Sequence, residues 1–485
     1  MKILLAGYNV DYNLIRSLKD KSGLARDITP ETISAAYARI SRSPKSVDEL
    51  RADALTYVDK ARKSNRNIVF EMGHSSVAEH AVFNIDVIGV SRLLVEEIEK
   101  FRLCSYTEKS QRYVLFDKDF VVPEEIVEAG FKDLFVSTVT LQNDFYRELY
   151  EHLRPYVFEQ NRALAENPAN KSMLEGWAKE DARYAIALAT ETQLGMTINA
   201  RNLELMLRRL AALPLAEARD YSEKLYDATK DIAPSLIRYA QATDYDLLTR
   251  GSLREFCAGF AGGKESRSRD SVRLVRATSN ADTVAAASLL FSSSGLSYNQ
   301  CLRRAGRMSR GEMKTLFRTA FKNIQAYDAA LRELENIDLD FELVMSASCF
   351  AQLKRHRMAT IVSQEYDPSL GVTLPPAVRA IGRQRDFMAM IRKTNSAYEQ
   401  IRQKHPAAAP YVLTNAHRKR VLMKLNAREL YHLSRLRVDA HAQWDIRDLS
   451  AKMLRQARQV MPQTLMMACG KDGFASLRHK VFPRA

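Results

Sequence analysis

The 485-residue sequence has few cysteines and no long apolar run. Its five cysteines are scattered with no Cys-x-x-Cys pair, which argues against a disulfide framework or a structural metal and is typical of a reducing cytoplasm. No stretch approaches the roughly 18 apolar residues of a membrane span. The apolar start is interrupted by Asp11 and Asn13, which favours a first strand over a signal peptide. We therefore expect a cytoplasmic protein with neither a bound metal nor a membrane partner.

The signatures of several other enzyme classes are also missing. The sequence has no Gly-x-Gly-x-x-Gly turn after a strand, no P-loop and no His-Glu-x-x-His pair. These absences argue against a dinucleotide-binding Rossmann domain, a P-loop nucleotidase and a zinc protease. Ser110 has no evident partnered base, so a Ser-His-Asp hydrolase is weakly supported.

Positive charge is in excess, with a formal net charge of +15. Such an excess attracts polyanions, which include nucleic acids, membrane surfaces and phosphorylated small molecules. Nucleic-acid binders concentrate the charge in a patch or tail. Here the basic residues are spread, with mild clusters near Lys264 and at 417–420. A solvated basic surface accounts for most of them.

Apolar residues recur at helical spacing in several long segments, and shorter segments have strand character. Pro234 is expected to break or kink one of the helices. The fold class predicted is α+β with helix dominant. The predicted elements are helices at 47–64, 131–154, 215–243, 309–335 and 384–404, and strands at 81–87 and 338–344.

The two halves of the sequence repeat each other on either side of a glycine-rich, charged segment. Asn199-Ala-Arg in the first half returns as Asn426-Ala-Arg in the second, and Lys100-Phe-Arg corresponds in order to Arg355-His-Arg. The first half carries extra residues between its two motifs. Two ordered matches, each with a strand-like segment upstream, predict a duplication. We assign a first unit to 1–260, a linker to 261–270 and a second unit to 271–485.

Two polar clusters could bind an anionic ligand. Glu108, Ser110 and Arg112 alternate, so on an extended backbone they project to one face, where acid, hydroxyl and guanidinium can grip a polar anion. A polar edge strand with a surface ion pair is the simpler interpretation. Arg437, His441 and Trp444 share one face if the segment is helical, which suits an anion or an electron-rich ring. A structural histidine is the alternative.

These segments together resemble the flavin-dependent thymidylate synthases. The stretch KFRLCSYTEKSQRY at 100–113 is similar to the family signature Arg-His-Arg-x-x-Ser-x-Asn-Glu-x-Ser-x-Arg-Tyr, and departs from it at Lys100, Phe101 and Thr107. Upstream, GHSSVAEH at 73–80 is similar to a Gly-His-x-x-x-x-Glu-His segment that contacts the flavin nucleotide in the family.

The second half has the opposite losses. It keeps Gln352 and Arg355-His356-Arg357, but it lacks the downstream Glu, Ser and Arg and the Gly-His segment. Its NARELYHLSRLRVDAHAQWDI, 426–446, is very similar to the C-terminal block of the family, including Arg437, His441 and Gln443. The first half replaces these three by Leu210, Pro214 and Ala216. Conversely, Glu180 and Arg183 match a substrate-binding Glu-x-x-Arg that the second half replaces by Ala407 and Pro410.

The resemblance implies two helix-rich units with small antiparallel sheets and FAD-dependent reductive methylation of dUMP to dTMP, with methylenetetrahydrofolate and NADPH. These partners are anionic, which explains the basic balance without nucleic acid. It assigns catalytic roles to Arg437 and Ser110, the latter as a ligand contact rather than a nucleophile. The implied substrate-binding residues are Gln352, Arg355, Glu108, Ser110, Arg112, Arg183 and Arg437, and the implied cofactor-binding residues are His74, Glu79, Arg355, His356, Arg357, Asn426, Arg428 and His441.

The losses in the two halves are complementary, since each motif survives in one copy. Family enzymes are homotetramers whose sites combine residues of several subunits. The resemblance therefore predicts a site assembled from both units, and a homodimer that forms a pseudo-tetramer with two competent and two vestigial sites.

Two other functions remain open. The same fold and flavin could act on another pyrimidine nucleotide or one-carbon donor, as the changes at Lys100 and Phe101 allow. The motif losses and positive charge also fit a non-catalytic nucleotide-binding or RNA-binding descendant.

Overall fold

The structure is a computed structural model that describes residues 1–11, 29–40, 43–71, 73–111, 119–260 and 270–483. Arg112 and the predicted linker up to residue 269 lie outside the described residues. None of the described helices is both long and apolar enough to cross a membrane.

Each half of the chain contributes one four-stranded antiparallel sheet, because strands with alternating buried side chains recur at corresponding places. The first sheet has the order β1-β2-β4-β3 and the second β5-β6-β8-β7, which is the same topology. The prediction of a helix-rich α+β fold with small antiparallel sheets is confirmed. The strands are β1 Lys2–Tyr8, β2 Val82–Ser91, β3 Ser105–Glu108, β4 Glu191–Asn199, β5 Val272–Ala277, β6 Asp338–Ser346, β7 Thr360–Tyr366 and β8 Arg418–Asn426.

The register of the two sheets repeats as well. Ser105 pairs with Thr197 in the first sheet, and Thr360 pairs with Lys424 in the second. Each of these residues stands at the same distance from the nearest repeated sequence motif as its counterpart in the other sheet. A shift of one residue would turn every side chain to the opposite face, so the repeated register places equivalent residues on equivalent faces.

The helices follow in chain order, and 3-10 turns connect several of them. The α-helices are α1 Glu31–Arg39, α2 Val47–Thr56, α3 Val58–Arg66, α4 Arg92–Ile98, α5 Glu124–Glu128, α6 Lys132–Gln160, α7 Arg162–Ala165, α8 Lys171–Ala182, α9 Ala200–Ala211, α10 Ala216–Thr229, α11 Asp244–Ala258, α12 Ala281–Ser292, α13 Tyr298–Gly306, α14 Arg310–Phe321, α15 Ala347–Leu353, α16 Pro376–Ala380, α17 Gln384–Lys404, α18 Ala427–Arg437, α19 Trp444–Val460 and α20 Phe474–Val481.

Some predicted helices are shorter than expected. The helix predicted at 309–335 ends at Phe321, and the carboxylate of Asp328 accepts a hydrogen bond from the Gln325 backbone in the turn that follows. The helix predicted at 215–243 ends at Thr229, ahead of Pro234. In the first place a side chain caps the turn that replaces the helix, and in the second the helix ends before the proline that was expected to break it.

The polypeptide forms two compact units that do not follow the midpoint of the sequence. Unit 1 comprises Met1–Lys179, Ile186–Glu265 and Arg385–Leu413, and unit 2 comprises Glu180–Ala185, Ser266–Gln384 and Thr414–Ala485. Each unit therefore contains a segment from the other half of the sequence. The predicted limits 1–260 and 271–485 describe the sequence repeat and stay a prediction.

The core of unit 2 lies between its sheet and helices α12, α14, α18 and α19. Leu339, Phe341 and Leu343 point inward from β6, where they alternate with half-buried residues. Phe317, Leu430 and Met453 from three of the helices belong to the same core. This packing holds α15, α18 and the N-terminal end of α19, which carry much of the site described below.

Candidate active site

A serine, a carboxylate and a tyrosine form a hydrogen-bonded group in unit 2. The hydroxyls of Tyr184 and Ser346 both donate to Oδ2 of Asp445, over 2.9 and 2.6 Å. Ser346 also accepts from the backbone N–H of Cys349 and so caps α15. Burial raises the pKa of Asp445, and the two hydroxyl donors oppose that rise. Tyr184 belongs to the short segment that unit 2 takes from the first half of the sequence.

Unit 1 has a similar group, in which the serine and the carboxylate come from the first half of the sequence and the tyrosine from the second. The hydroxyls of Tyr411 and Ser91 both donate to Oε2 of Glu217 over 2.6 Å. Tyr411 and Tyr184 occupy the same place in the sequence repeat, and so do Ser91 and Ser346. The scaffold is therefore duplicated, and in each unit the tyrosine comes from the opposite half of the chain.

In unit 2 this scaffold holds a pair of glutamines. The buried Gln443 accepts from the backbone N–H groups of Asp445 and Ile446 and so caps α19. Its Nε2 donates to the Tyr184 hydroxyl over 3.0 Å, and Gln352 Nε2 donates to its Oε1 over 3.4 Å. The amide of Gln352 is thus linked to the serine–carboxylate–tyrosine group.

Arg437 lies next to Gln352 and is held from two sides. One terminal nitrogen of its guanidinium donates to the Gln352 carbonyl over 3.1 Å, and its Nε donates to Nε2 of His356 over 3.2 Å. Since Nε2 accepts, the proton of a neutral His356 sits on Nδ1, which donates to Glu429 over 3.0 Å. Burial lowers the pKa of His356 and the charge of Arg437 adds to this, against the opposing effect of Glu429. The imidazole is therefore neutral at pH 7.

The segment from the first half also brings acidic and basic groups into unit 2. Trp444 Nε1 donates to Asp181 over 2.7 Å, and its ring stacks on Tyr184 with a centroid separation of 5.6 Å. Burial raises the pKa of Asp181 to about 7, the Trp444 bond opposes this, and Glu180 adds to it. Arg183 is buried in the same segment. Unit 2 thus combines Arg183 with Gln352, His356 and Arg437.

Unit 1 keeps the scaffold but has apolar residues in place of several of these polar groups. Phe101 stands where unit 2 has His356, Leu210 where it has Arg437, and Ala216 where it has Gln443. We call the segment that each unit takes from the other half of the sequence its exchanged segment: Arg385–Leu413 in unit 1 and Glu180–Ala185 in unit 2. The exchanged segment of unit 1 has Ala407 and Pro410 in place of Glu180 and Arg183. Without counterparts of Arg437, Gln443 and Arg183, the equivalent place in unit 1 cannot polarise or hold an anionic ligand in the same way.

The other residues predicted in unit 1 lie elsewhere in that unit. Glu108, at the end of β3, forms an ion pair with Arg92, and Ser110 follows the strand. His74 is exposed just before a 3-10 turn. Glu79 forms an ion pair with Arg201. The residues on either side of His74 line a cavity of about 270 Å³, together with Val69, Phe70, Ala78, Arg201, Glu204, Leu236 and Tyr239.

The predicted cofactor residues of unit 2 surround His356 in sequence and along α18. Arg355 and Arg357 are exposed on either side of the buried His356. Asn426 caps α18 by accepting from the Glu429 backbone, and Arg428 forms an ion pair with Glu335 over 2.7 Å. The structure brings Gln352 and His356 to Arg437, and it leaves Arg428 in a pair that has its counterpart in Arg201–Glu79.

The predicted helical face of Arg437, His441 and Trp444 is wrong. Helix α18 ends at Arg437 and α19 begins at Trp444. Asp439 accepts from the backbone and the ring of His441, and Gln443 caps the next helix, so side chains take the backbone donors that a continuous helix would use. His441 is an exposed loop residue paired with Asp439.

Sequence reasoning missed Tyr184, Asp445 and Glu429. The signal for the first was present, because Tyr184 and Tyr411 occupy the same place in the repeat. The roles of Asp445 and Glu429 depend on contacts between distant segments, which no local pattern reveals.

Comparison with known proteins identifies the family. The family model described as "Thymidylate synthase complementing protein" matches residues 24–235 and 273–463. A "UPF0159 protein" of Chlamydia muridarum is 24% identical over 424 residues, covering 84% of this chain and 80% of that protein. A "Flavin-dependent thymidylate synthase" of Clostridium tetani is 30% identical over 216 residues, covering 44% of this chain and 82% of that protein.

A crystal structure of the flavin-dependent thymidylate synthase ThyX from Helicobacter pylori, complexed with FAD and dUMP, is 20% identical and covers 50% of this chain and all of that one, with a TM-score of 0.32. The assignment rests on the two matched segments and not on this low score. Both predictions, of the family and of its tandem duplication, are confirmed. The chain belongs to the flavin-dependent thymidylate synthase family of methyltransferases, as an enzyme with two diverged family repeats in one polypeptide.

Proposed function

We propose that the chain converts dUMP to dTMP by FAD-dependent reductive methylation, with methylenetetrahydrofolate as carbon donor and NADPH as reductant, at a site in unit 2. The observation that carries this proposal is the presence of Arg437, Gln352, His356 and the first-half residue Arg183 in one unit. Unit 1 has apolar residues at most of the equivalent places. The match to flavin-dependent thymidylate synthases supports this choice of cofactor and substrate.

The residues of unit 2 fit anionic ligands. Arg355 and Arg357 are exposed on either side of the neutral, buried His356 in the sequence, and His441 is exposed in the loop after α18. The nitrogens of one guanidinium can bind two phosphate oxygens at once. These residues would hold the phosphates of FAD, which when bound supplies the hydride for the reaction. Asn426 keeps its role as a helix cap in this arrangement.

Arg437 would stabilise the negative charge that develops on the uracil ring during carbon transfer. His356 and the Gln352 carbonyl fix its guanidinium, so little reorganisation is needed in the transition state. The side chain of Gln352, linked to Gln443, would orient the ring. Arg183 would bind the phosphate end of the nucleotide. Glu108, Ser110 and Arg112 stay predictions as further substrate contacts.

The absorption spectrum of the purified full chain tests the proposal. We expect a flavin spectrum with one FAD per chain, because the residues of unit 1 equivalent to His356, Arg437 and Arg183 are apolar. We also expect the spectrum to change when dUMP is added. Labelled methylenetetrahydrofolate and NADPH should then give labelled dTMP. A colourless protein that gains no flavin absorbance with added FAD contradicts the proposal and favours a non-catalytic descendant. Flavin binding without dTMP formation favours another nucleotide.

A matched pair of tyrosine variants tests whether both halves build the site. Tyr184→Phe and Tyr411→Phe remove the same hydroxyl from equivalent groups, so each should lower the free energy of unfolding by about 1–3 kcal/mol. Only Tyr184→Phe removes the acceptor of Gln443, so it alone should weaken dUMP binding, by about 5- to 10-fold for one lost hydrogen bond. Titrating the flavin spectrum with dUMP measures this. Equal dUMP affinities in the two variants would place the substrate away from Gln443.

The predicted homodimer and cytoplasmic location also stay predictions. Light scattering of the full chain measures the first.

A further inference from the structure

Three side chains of unit 2 converge beside Arg437 in a way that the synthase chemistry does not require. His356, Glu429 and His432 each offer one ligand atom, and the three atoms lie within 4.8 Å of one another. The sequence predicts no metal, because it has neither a Cys-x-x-Cys pair nor a His-Glu-x-x-His pattern. We propose that these residues form a Zn²⁺ site whose occupation displaces Arg437 and inhibits the enzyme. The inhibition, but not the binding, rests on the proposed function.

The donor set and spacing suit zinc. Two imidazoles and one carboxylate, with a fourth position left to water, are a common zinc ligand set. Ligand atoms on one tetrahedral ion lie about 3.3 Å apart when each bond is about 2.0–2.1 Å. His356 Nδ1 and Glu429 Oε1 are already 3.0 Å apart. Glu429 and His432 are three residues apart on α18 and therefore share one side of the helix.

Two of the three ligand groups are buried and fixed, and the third faces solvent. His356 and Glu429 are 3% and 7% exposed, whereas His432 is exposed. The two imidazole rings are 5.6 Å apart and steeply inclined to each other. A change of the His432 side-chain rotamer can therefore close the site on an ion that enters from solvent.

The first half of the chain shows that the scaffold does not need these residues. The equivalent positions there are Phe101, Asn202 and Leu205. The corresponding helix α9 nevertheless forms, with Asn199 as its cap in the way that Asn426 caps α18. The cluster is a property of the second half alone.

Zinc binding has a consequence for Arg437 that follows from the protonation of one imidazole. Without metal, His356 carries its proton on Nδ1 and accepts from Arg437 at Nε2. An ion bound at Nδ1 needs that lone pair, so a neutral ring must carry its proton on Nε2 instead. Two N–H groups then face each other across 3.2 Å. The bond between Arg437 and His356 is lost, and the guanidinium must turn away.

Zinc titration of the full chain, purified without an affinity tag and stripped of metal by a chelator, tests the binding. Competition with a chromophoric chelator should show one Zn²⁺ ion per chain. His432→Asn should lower the zinc affinity by more than about 100-fold, because losing a ligand costs more than the 10- to 100-fold loss that follows removal of a supporting contact. His479→Asn, on the exposed face of α20, is the matched control and should retain the site. Equal zinc binding by the wild type and His432→Asn overturns the proposal.

The activity assay separates binding from inhibition. Zn²⁺ should reversibly suppress dTMP formation by the wild type and the His479→Asn variant, and excess chelator should restore it. His432→Asn should keep its metal-free activity and resist the same Zn²⁺ concentration. Zinc binding without inhibition overturns the link to Arg437. If no preparation forms dTMP, the proposed function fails, while the titration still decides whether the site exists.

Discussion

Replacing Arg437 by alanine is expected to lower kcat for dTMP formation by about 100- to 1000-fold, the usual cost of removing one donor aimed at a developing negative charge. The guanidinium is fixed by the Gln352 carbonyl and by His356 before substrate binds. In the proposed reaction its contribution should therefore grow as charge develops on the uracil ring and be small for the neutral ring. Steady-state kinetics with labelled methylenetetrahydrofolate should show most of the loss in kcat and a smaller change in KM.

Arg435→Ala is the matched control for this variant. Arg435 lies on the same helix, two residues earlier, and its backbone carbonyl, which the substitution keeps, accepts a hydrogen bond from Lys471. It should keep nearly full activity. Arg437→Lys should recover only part, because an ammonium keeps the charge but not the planar fork. A loss confined to KM in Arg437→Ala would show that the residue only binds substrate, and a loss of flavin absorbance would show that the variant is damaged more widely.

Much of the fold could be predicted from the sequence because the sequence contains two repeats of the same pattern. The strand predicted at 338–344 is β6, and the alignment of the two motif pairs returns as the register of two sheets. The helix predicted at 384–404 has those bounds. Apolar periodicity and repetition are local signals, so they survive without knowledge of the tertiary structure. The helix predicted at 309–335 shows the limit, since a side chain capping a turn at Asp328 leaves the apolar pattern unchanged.

Residues of the candidate site could be predicted only where they match a family motif. Arg437, Gln352 and His356 belong to family motifs, and the structure brings them together. The carboxylates that fix them do not, because Glu429 meets His356 across 73 residues and Asp445 meets Tyr184 across 261. The second contact depends on an exchange of short segments between the two halves, and no pattern within either half indicates that exchange.

The exchange also explains why neither half of the sequence is a sufficient description of the site. Unit 1 takes Tyr411 and unit 2 takes Tyr184, so both scaffolds need both halves to complete their carboxylate group. Both units have their tyrosine, although the surrounding polar residues differ between them. Unit 1 has the same sheet topology as unit 2, although Leu210 and Pro410 stand where unit 2 has Arg437 and Arg183.

The exchanged segment gives unit 2 a pH-dependent stability, which Asp181→Asn should remove. Burial raises the pKa of Asp181 to about 7, from an unfolded value near 3.8. Between these values the folded state holds a proton that the unfolded state has released. Its stabilising effect is fully present below about pH 4 and is lost as the pH rises through 7, with a maximal change of about 4 kcal/mol in the free energy of unfolding.

The variant should therefore gain stability relative to the wild type as the pH rises from 5 to 8. Asparagine still offers an oxygen to Trp444 Nε1, so the hydrogen bond survives while the buried charge does not. Urea unfolding at both pH values measures the difference, with Asp133→Asn on the exposed face of α6 as the control for loss of a surface carboxylate. A constant difference between wild type and Asp181→Asn at pH 5 and pH 8 would mean that Asp181 is ionised throughout, and that Arg183 or solvent compensates its charge in the folded state.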